Sequence, residues 1–161
     1  NKRAYTFFEK AAQQGNADAE FNLGLLYENG DGVSIDLTQS YLWTKRAAEK
    51  NVALAQSNLG VKYALGTGVQ ANQKSAFKWY LKAAEQGITD AQVNLGGMYA
   101  NGTVKPRDYL RAYMWWMIAA DNGNSYGRKY SKQIRQDLSK DQIKKAEALI
   151  KQCIANNYRE C

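Results

Sequence analysis

The stretch ALAQSNLGVKYALGTGV, residues 53–69, joins an apolar helical pattern to a loop containing Gly66 and Gly68. Alone it has two readings. A glycine loop beside a helix is the kind of backbone that cradles phosphate, and it is also a turn. Its neighbours decide between them. Residues 17–33 read ADAEFNLGLLYENGDGV and residues 89–105 read TDAQVNLGGMYANGTVK. Leu23-Gly24, Leu59-Gly60 and Leu95-Gly96 fall 36 residues apart, as do Tyr27, Tyr63 and Tyr99. A loop that recurs in every unit is the turn of a repeating brick. The phosphate reading also lacks a preceding strand and a G-x-x-x-x-G-K-[ST] motif.

The same period continues downstream. Tyr41, Phe77 and Tyr113 keep it, as do Trp43, Trp79 and Trp115, and the pairs Ala47-Ala48, Ala83-Ala84 and Ala119-Ala120. Tyr5, Phe7 and Ala11-Ala12 stand one period earlier. Each unit predicts two helices. Ala19, Leu23, Leu26 and Tyr27 form one apolar stripe on the first, at i, i+4, i+7 and i+8. Asp36, Asn72 and Asp108 are placed to cap the second, because a short side-chain oxygen accepts the free amides of a first turn. Gly15, Gly87 and Gly123 sit where that helix ends, with Asn51 as their substitute. Gly24, Gly60 and Gly96 interrupt the first helix at a cost of roughly 1 kcal/mol each against Ala. Such a cost makes sense where a neighbouring helix approaches closely. One helix pair cannot bury both its faces, so the units must stack.

Composition narrows the function. The chain has 161 residues, a length that suggests one domain, and 45% hydrophobic residues, enough for a core. No apolar run approaches the roughly 18–20 residues needed to span a bilayer; YMWWMIAA, residues 113–120, is too short and fits the packing period. The N-terminus lacks an apolar signal core and reads as the middle of a helix, so we expect a chain cut from a longer precursor. His is absent, which removes the commonest general base and metal ligand. No S-x-x-K or G-x-S-x-G motif is present. The net charge of +7 is concentrated in residues 103–161, with 12 basic and 6 acidic side chains. That segment is either a solvated helix face or a surface for an acidic partner, and a nucleic-acid or anionic-surface role would show steep salt dependence.

The three units are AEFNLGLLYENGDGVSIDLTQSYLWTKRAAEKN, AQSNLGVKYALGTGVQANQKSAFKWYLKAAEQG and AQVNLGGMYANGTVKPRDYLRAYMWWMIAADNG. They resemble the Sel-one-like repeat family, relatives of the tetratricopeptide repeats, over about residues 4–124. Unit three departs in its loop: NGTVKPRD lacks the second Gly, and Pro106 stiffens it. The resemblance implies an all-α fold, a right-handed α/α superhelical solenoid of helix-turn-helix repeats. We expect repeats over residues 1–124, beginning with the second helix of a truncated unit, and a C-terminal helical cap over 125–161. In the cap, Ser139 with Gln142 reads as a capping box and Leu138 with Ile143 as a hydrophobic staple. Ile143, Ala146, Ile150 and Cys153 form the stripe of a long helix.

The two cysteines, Cys153 and Cys161, lie in CIANNYREC. Asn156-Asn157 favours a turn between them. Their spacing is similar to that of the disulfides of a secreted, cysteine-rich bacterial branch of the family, which implies a bridge and an oxidising compartment, periplasmic or extracellular. The alternatives are two free thiols on a frayed end, and a cytoplasmic protein. A metal site fails on ligand count and no cofactor is expected. The Asn101-Gly-Thr sequon is discounted for a bacterial chain.

First helices of such arrays line the concave side. The positions the pattern leaves free there are Phe21, Leu25 and Glu28; Ser57, Val61 and Ala64; Val93, Gly97 and Ala100. Exposed apolar side chains at these positions would suit a protein ligand. Asn22, Asn58 and Asn94 have two readings. In related tetratricopeptide folds such residues grip a peptide backbone or carboxylate; the reading we favour is a structural hydrogen bond to the neighbouring unit. The function expected is a protein-binding scaffold or adaptor of a bacterial envelope or secreted protein, with another protein or peptide as partner rather than nucleic acid. The alternatives are a toxin-neutralising immunity protein and, from cysteine-rich relatives, a hydrolase of cell-wall or β-lactam compounds.

Overall fold

A computed structural model describes residues 2–159 and 161, which hold nine α-helices, one 3-10 turn and no strand. The helix pairs repeat along the chain as an α/α solenoid. The chain forms two compact units, residues 1–79 and 80–161.

The first unit holds α1 (Lys2–Gln13), α2 (Ala17–Asn29), α3 (Leu37–Glu49), α4 (Ala53–Leu65) and the start of α5 (Gln73–Ala84). The predicted caps form. Asp36 accepts from the Gln39 amide at 2.9 Å and Asn72 from the Ser75 amide at 3.0 Å. One further bond closes each interhelical loop: the Asp36 amide donates to the Tyr27 carbonyl at 3.0 Å, and the Asn72 amide to the Tyr63 carbonyl at 2.8 Å. The ends of α1 and α3 need left-handed backbone, which Gly15 (φ 85°) and Asn51 (φ 69°) supply.

The stripes converge as the spacing predicts. Ala12, Ala19 and Leu23 pack with Tyr5, Phe8, Tyr27 and Trp43. Ala47, Ala48, Ala55 and Leu59 pack with Phe21, Tyr41, Tyr63 and Trp79. Tyrosine hydroxyls tie each second helix to the next first helix, Tyr5 to Tyr27 at 3.0 Å and Tyr41 to Tyr63 at 2.9 Å. Burial and that bond push the Tyr63 phenol up to about 12. Gly24 answers to close approach: a Cβ there would lie 2.8 Å from Thr44 Oγ1 and 3.2 Å from the backbone of Ser40 and Thr44.

The second unit holds the end of α5, then α6 (Thr89–Asn101), α7 (Tyr109–Asp121), α8 (Ser125–Ile134), the 3-10 turn Arg135–Asp137 and α9 (Lys140–Ala155). YMWWMIAA is core: Tyr113, Trp115, Ile118 and Ala119 of α7 are buried, with α6, α8 and α9 packed against the helix. The third interhelical loop closes like the others, through the Asp108 amide and the Tyr99 carbonyl at 2.9 Å. Its path differs, because Val104 occupies the place of Gly32 and Gly68 and stays out of the left-handed region that both glycines adopt.

After Asn124 the sequence reads as a polar cap, yet the 36-residue register continues. Asn124 caps α8 by accepting from the Gly127 amide at 3.0 Å, as Asn16 caps α2. Arg135 stands where Tyr99 stands one period earlier and donates to the Tyr113 hydroxyl at 2.7 Å, the bond that Tyr27 makes with Tyr5. Within the segment expected as a cap, α8 and the turn after it thus keep the register of a first helix, with Ser131-Lys132 at the place of the Leu-Gly pair. In α9 the Ser139–Gln142 capping box is complete and Ala146, Ile150 and Cys153 are buried. Cys153 and Cys161 are bridged, with Cα atoms 5.1 Å apart. Asn157 (φ 52°) and Tyr158 (φ 64°) turn the chain between them, and the Tyr158 hydroxyl accepts from the Asn122 side chain at 3.2 Å.

Candidate interaction site

The face expected to be open is largely covered. Phe21, Leu25, Val61 and Val93 are half-buried rather than exposed, and Ser57 is buried at 6%. The reason is stacking. In the first unit α2 packs against both α1 and α3, and Phe21 lies on the Ala47–Leu59 cluster. Glu28 is engaged too: it accepts from the ammonium of Lys62 at 3.1 Å. Asn58, Asn94, Ala64 and Ala100 are half-buried. Gly97 faces open space, with nothing within 4 Å of a Cβ built on it.

The structural bond favoured for the asparagines does not form. The Asn22 amide donates to the Asp18 carbonyl of its own helix at 2.8 Å. Among the described residues, Asn58 and Asn94 make no side-chain hydrogen bond. Their amides are unspent, which keeps them available for a ligand.

The buried polar groups serve the frame instead. Glu20 is fully buried and meets Lys50 at 2.9 Å and Arg46 at 3.4 Å. At the equivalent positions Gln56 donates to the Ala48 carbonyl and Gln92 to the Ala84 carbonyl, each at 3.2 Å. Lys62, 2% exposed, also donates to Ser40 Oγ at 2.8 Å. A Ser–Lys pair can make a nucleophile. Here both side chains are closed to any substrate. No cluster of three metal-ligating side chains occurs among the described residues, and no helix among them is long and apolar enough to cross a membrane.

A concave surface that sequence reasoning missed lies in residues 80–161. A cleft of about 310 Å³ is lined by residues that include Arg107, Tyr109, Trp116, Tyr130, Gln133 and Asp137, with Ala100 beside them. A second cleft of about 510 Å³ shares Arg107 and Tyr109 and adds Tyr99, Lys105 and Arg111. The rings are arrayed rather than scattered. Trp116 and Tyr130 lie 5.3 Å apart between centroids, and Tyr130 stacks on Tyr126 at 6.2 Å. The Trp116 indole N–H is spent on the Val93 carbonyl at 2.9 Å, so the ring offers only its surface to a ligand. Arg107 lies over the Tyr109 ring and donates to its hydroxyl at 3.2 Å. Gly102 sets the base of this loop, since a Cβ there would lie 3.1 Å from the Arg107 amide nitrogen.

The cleft and the predicted face are related. Tyr130 and Gln133 stand one period after Asn94 and Gly97, and Ala100 belongs to both sets. The signal in the sequence was the register itself, carried one unit past the point where the Leu-Gly pair disappears.

The model for the Sel1 repeat matches residues 1–16, 17–52, 53–88 and 89–124. A crystal structure of a Sel1 repeat protein from Oxalobacter formigenes is 35% identical over 82% of this chain and 54% of its own, with a TM-score of 0.77. A protective antigen of uropathogenic Escherichia coli strains, displaying an SLR fold, is 30% identical over 97% of this chain and 41% of its own, with a TM-score of 0.61. The chain therefore spans about half the length of these solved relatives. No curated protein matches it. Sel1 repeats are generally protein-interaction scaffolds and typically non-catalytic. Four matched repeats over most of the chain make this protein a member of the Sel1 repeat family.

Proposed function

We propose that this chain is an adaptor that binds a partner protein through the aromatic cleft of residues 80–161, as part of a bacterial envelope or secreted protein. One observation carries the reading: three aromatic side chains, Tyr109, Trp116 and Tyr130, converge with Arg107 on one open cleft. Aromatic and arginine side chains are the usual anchors of protein interfaces. Within the same unit, the free Asn94 amide and the open surface at Gly97 add to the binding face along α6. An oxidising location, periplasmic or extracellular, is supported by the Cys153–Cys161 bridge.

A photo-cross-linking amino acid placed at Tyr109 in the producing cells tests the docking site. The expected result is a discrete polypeptide adduct, absent when the same group stands at Lys45 in the first unit. No adduct from Tyr109 would refute the assignment. Alkylation of the protein in intact cells tests its location: both cysteines should resist the reagent until a reductant is added.

A further inference from the structure

We infer that the segment bound here is an acidic linear peptide with an aromatic anchor, an inference that rests on the protein-binding reading above. The two clefts are contiguous, because Arg107 and Tyr109 line both. The first is aromatic. Tyr109, Trp116 and Tyr130 surround a volume of about 310 Å³, the scale of one large side chain with the backbone on either side. Trp116 cannot donate to such a ligand and offers the anchor its ring face, while Asn101, Gln133 and Asp137 supply the polar atoms of this cleft.

The second cleft is cationic, with Lys105, Arg107 and Arg111 on its walls. Its one acid, Asp108, is occupied: it accepts from the Arg111 guanidinium at 2.8 Å and from the Arg111 amide at 2.9 Å. Arg107 has no carboxylate partner among the described residues, and its one side-chain hydrogen bond among them uses a single donor on the Tyr109 hydroxyl. A guanidinium held against a ring with its remaining donors unpaired is suited to a carboxylate in the bidentate geometry. The surrounding charge agrees in sign, since residues 103–161 carry twice as many basic as acidic side chains. A bound strand therefore places an aromatic side chain among the three rings and an acidic flank against Arg107.

The test is fluorescence anisotropy with labelled nine-residue peptides on one scaffold: a central Trp between Glu residues, a central Trp between Lys residues, and a central Ala between Glu residues. The Glu-flanked Trp peptide should bind at least tenfold tighter than the other two, and should weaken as salt rises from 50 to 300 mM. Tyr130→Ala should weaken it tenfold or more. Arg107→Glu, an exposed loop substitution, should reverse the order of the two Trp peptides; thermal melts confirm that each variant is folded. Equal binding of Glu- and Lys-flanked peptides, or of the Trp and Ala peptides, overturns this chemistry and leaves the protein-binding reading standing. Absence of binding by all three overturns the inference, and the cross-linking at Tyr109 then decides the broader reading separately.

Discussion

Gly96 and Gly97 are neighbours on α6, and one added methyl group should act in opposite directions at the two. At Gly97 a Cβ meets nothing within 4 Å, so Gly97→Ala gains only helix propensity, roughly 0.5–1 kcal/mol. At Gly96 the same carbon would lie 2.6 Å from Trp116 Nε1 and 2.7 Å from Cδ1. The indole is 8% exposed and has little room to retreat. Moving it also strains the 2.9 Å bond from its N–H to the Val93 carbonyl. Overpacking costs about 1–3 kcal/mol and the weakened bond about 1 kcal/mol, against a propensity gain of about 1 kcal/mol. The net for Gly96→Ala is a loss of about 2 kcal/mol. For a chain of this size that lowers Tm by roughly 4–8 °C, while Gly97→Ala raises it by about 2–3 °C. Urea unfolding and thermal melts of both variants read these values. A Gly96→Ala protein as stable as the wild type would refute the packing reason given for the helix glycines.

Reduction of the Cys153–Cys161 bridge should lower stability by about 2–3 kcal/mol, the entropy of a short loop, with the melt compared before and after reductant. Lys62 stands in register with Leu26 and Met98, so Lys62→Met should be neutral or stabilising by up to about 2 kcal/mol. Glu28→Ala, which strands the buried ammonium, should cost about 2 kcal/mol, less than a fully buried pair because Glu28 is 35% exposed. Both read by denaturant unfolding. Burial raises the Glu85 carboxyl, partly offset by Arg159 and Lys82. A raised acid holds its proton better in the folded state, so its contribution falls as pH rises from acid to neutral. Glu85→Gln should therefore stabilise the protein at pH 7 relative to wild type and lose that advantage at pH 3.

The frame was legible because its rules are local. Asp36, Asn72 and Asp108 cap because a short oxygen reaches an amide three residues on, and Asn51 replaces glycine because it tolerates positive φ. The small-residue logic at Gly24 and Gly96 followed from the cost of glycine in a helix. Covering of the first-helix face was not legible, because it depends on how far each neighbouring helix reaches around α2, which pattern does not report. Nothing in the repeat pattern marks Lys62 as buried, since its acceptors lie on two other helices, Glu28 on α2 and Ser40 on α3. The cleft stayed hidden for another reason. Its rings come from α7 and α8, and α8 keeps the register while replacing the Leu-Gly pair that announces a repeat.

Chemical-shift mapping of the isotope-labelled protein with the Glu-flanked Trp peptide tests the central claim most directly. The account predicts shifts concentrated on Asn101, Arg107, Tyr109, Gln133, Tyr130 and the Trp116 indole, saturating together with one affinity. Shifts confined to α1–α4, or none at saturating peptide, would contradict it.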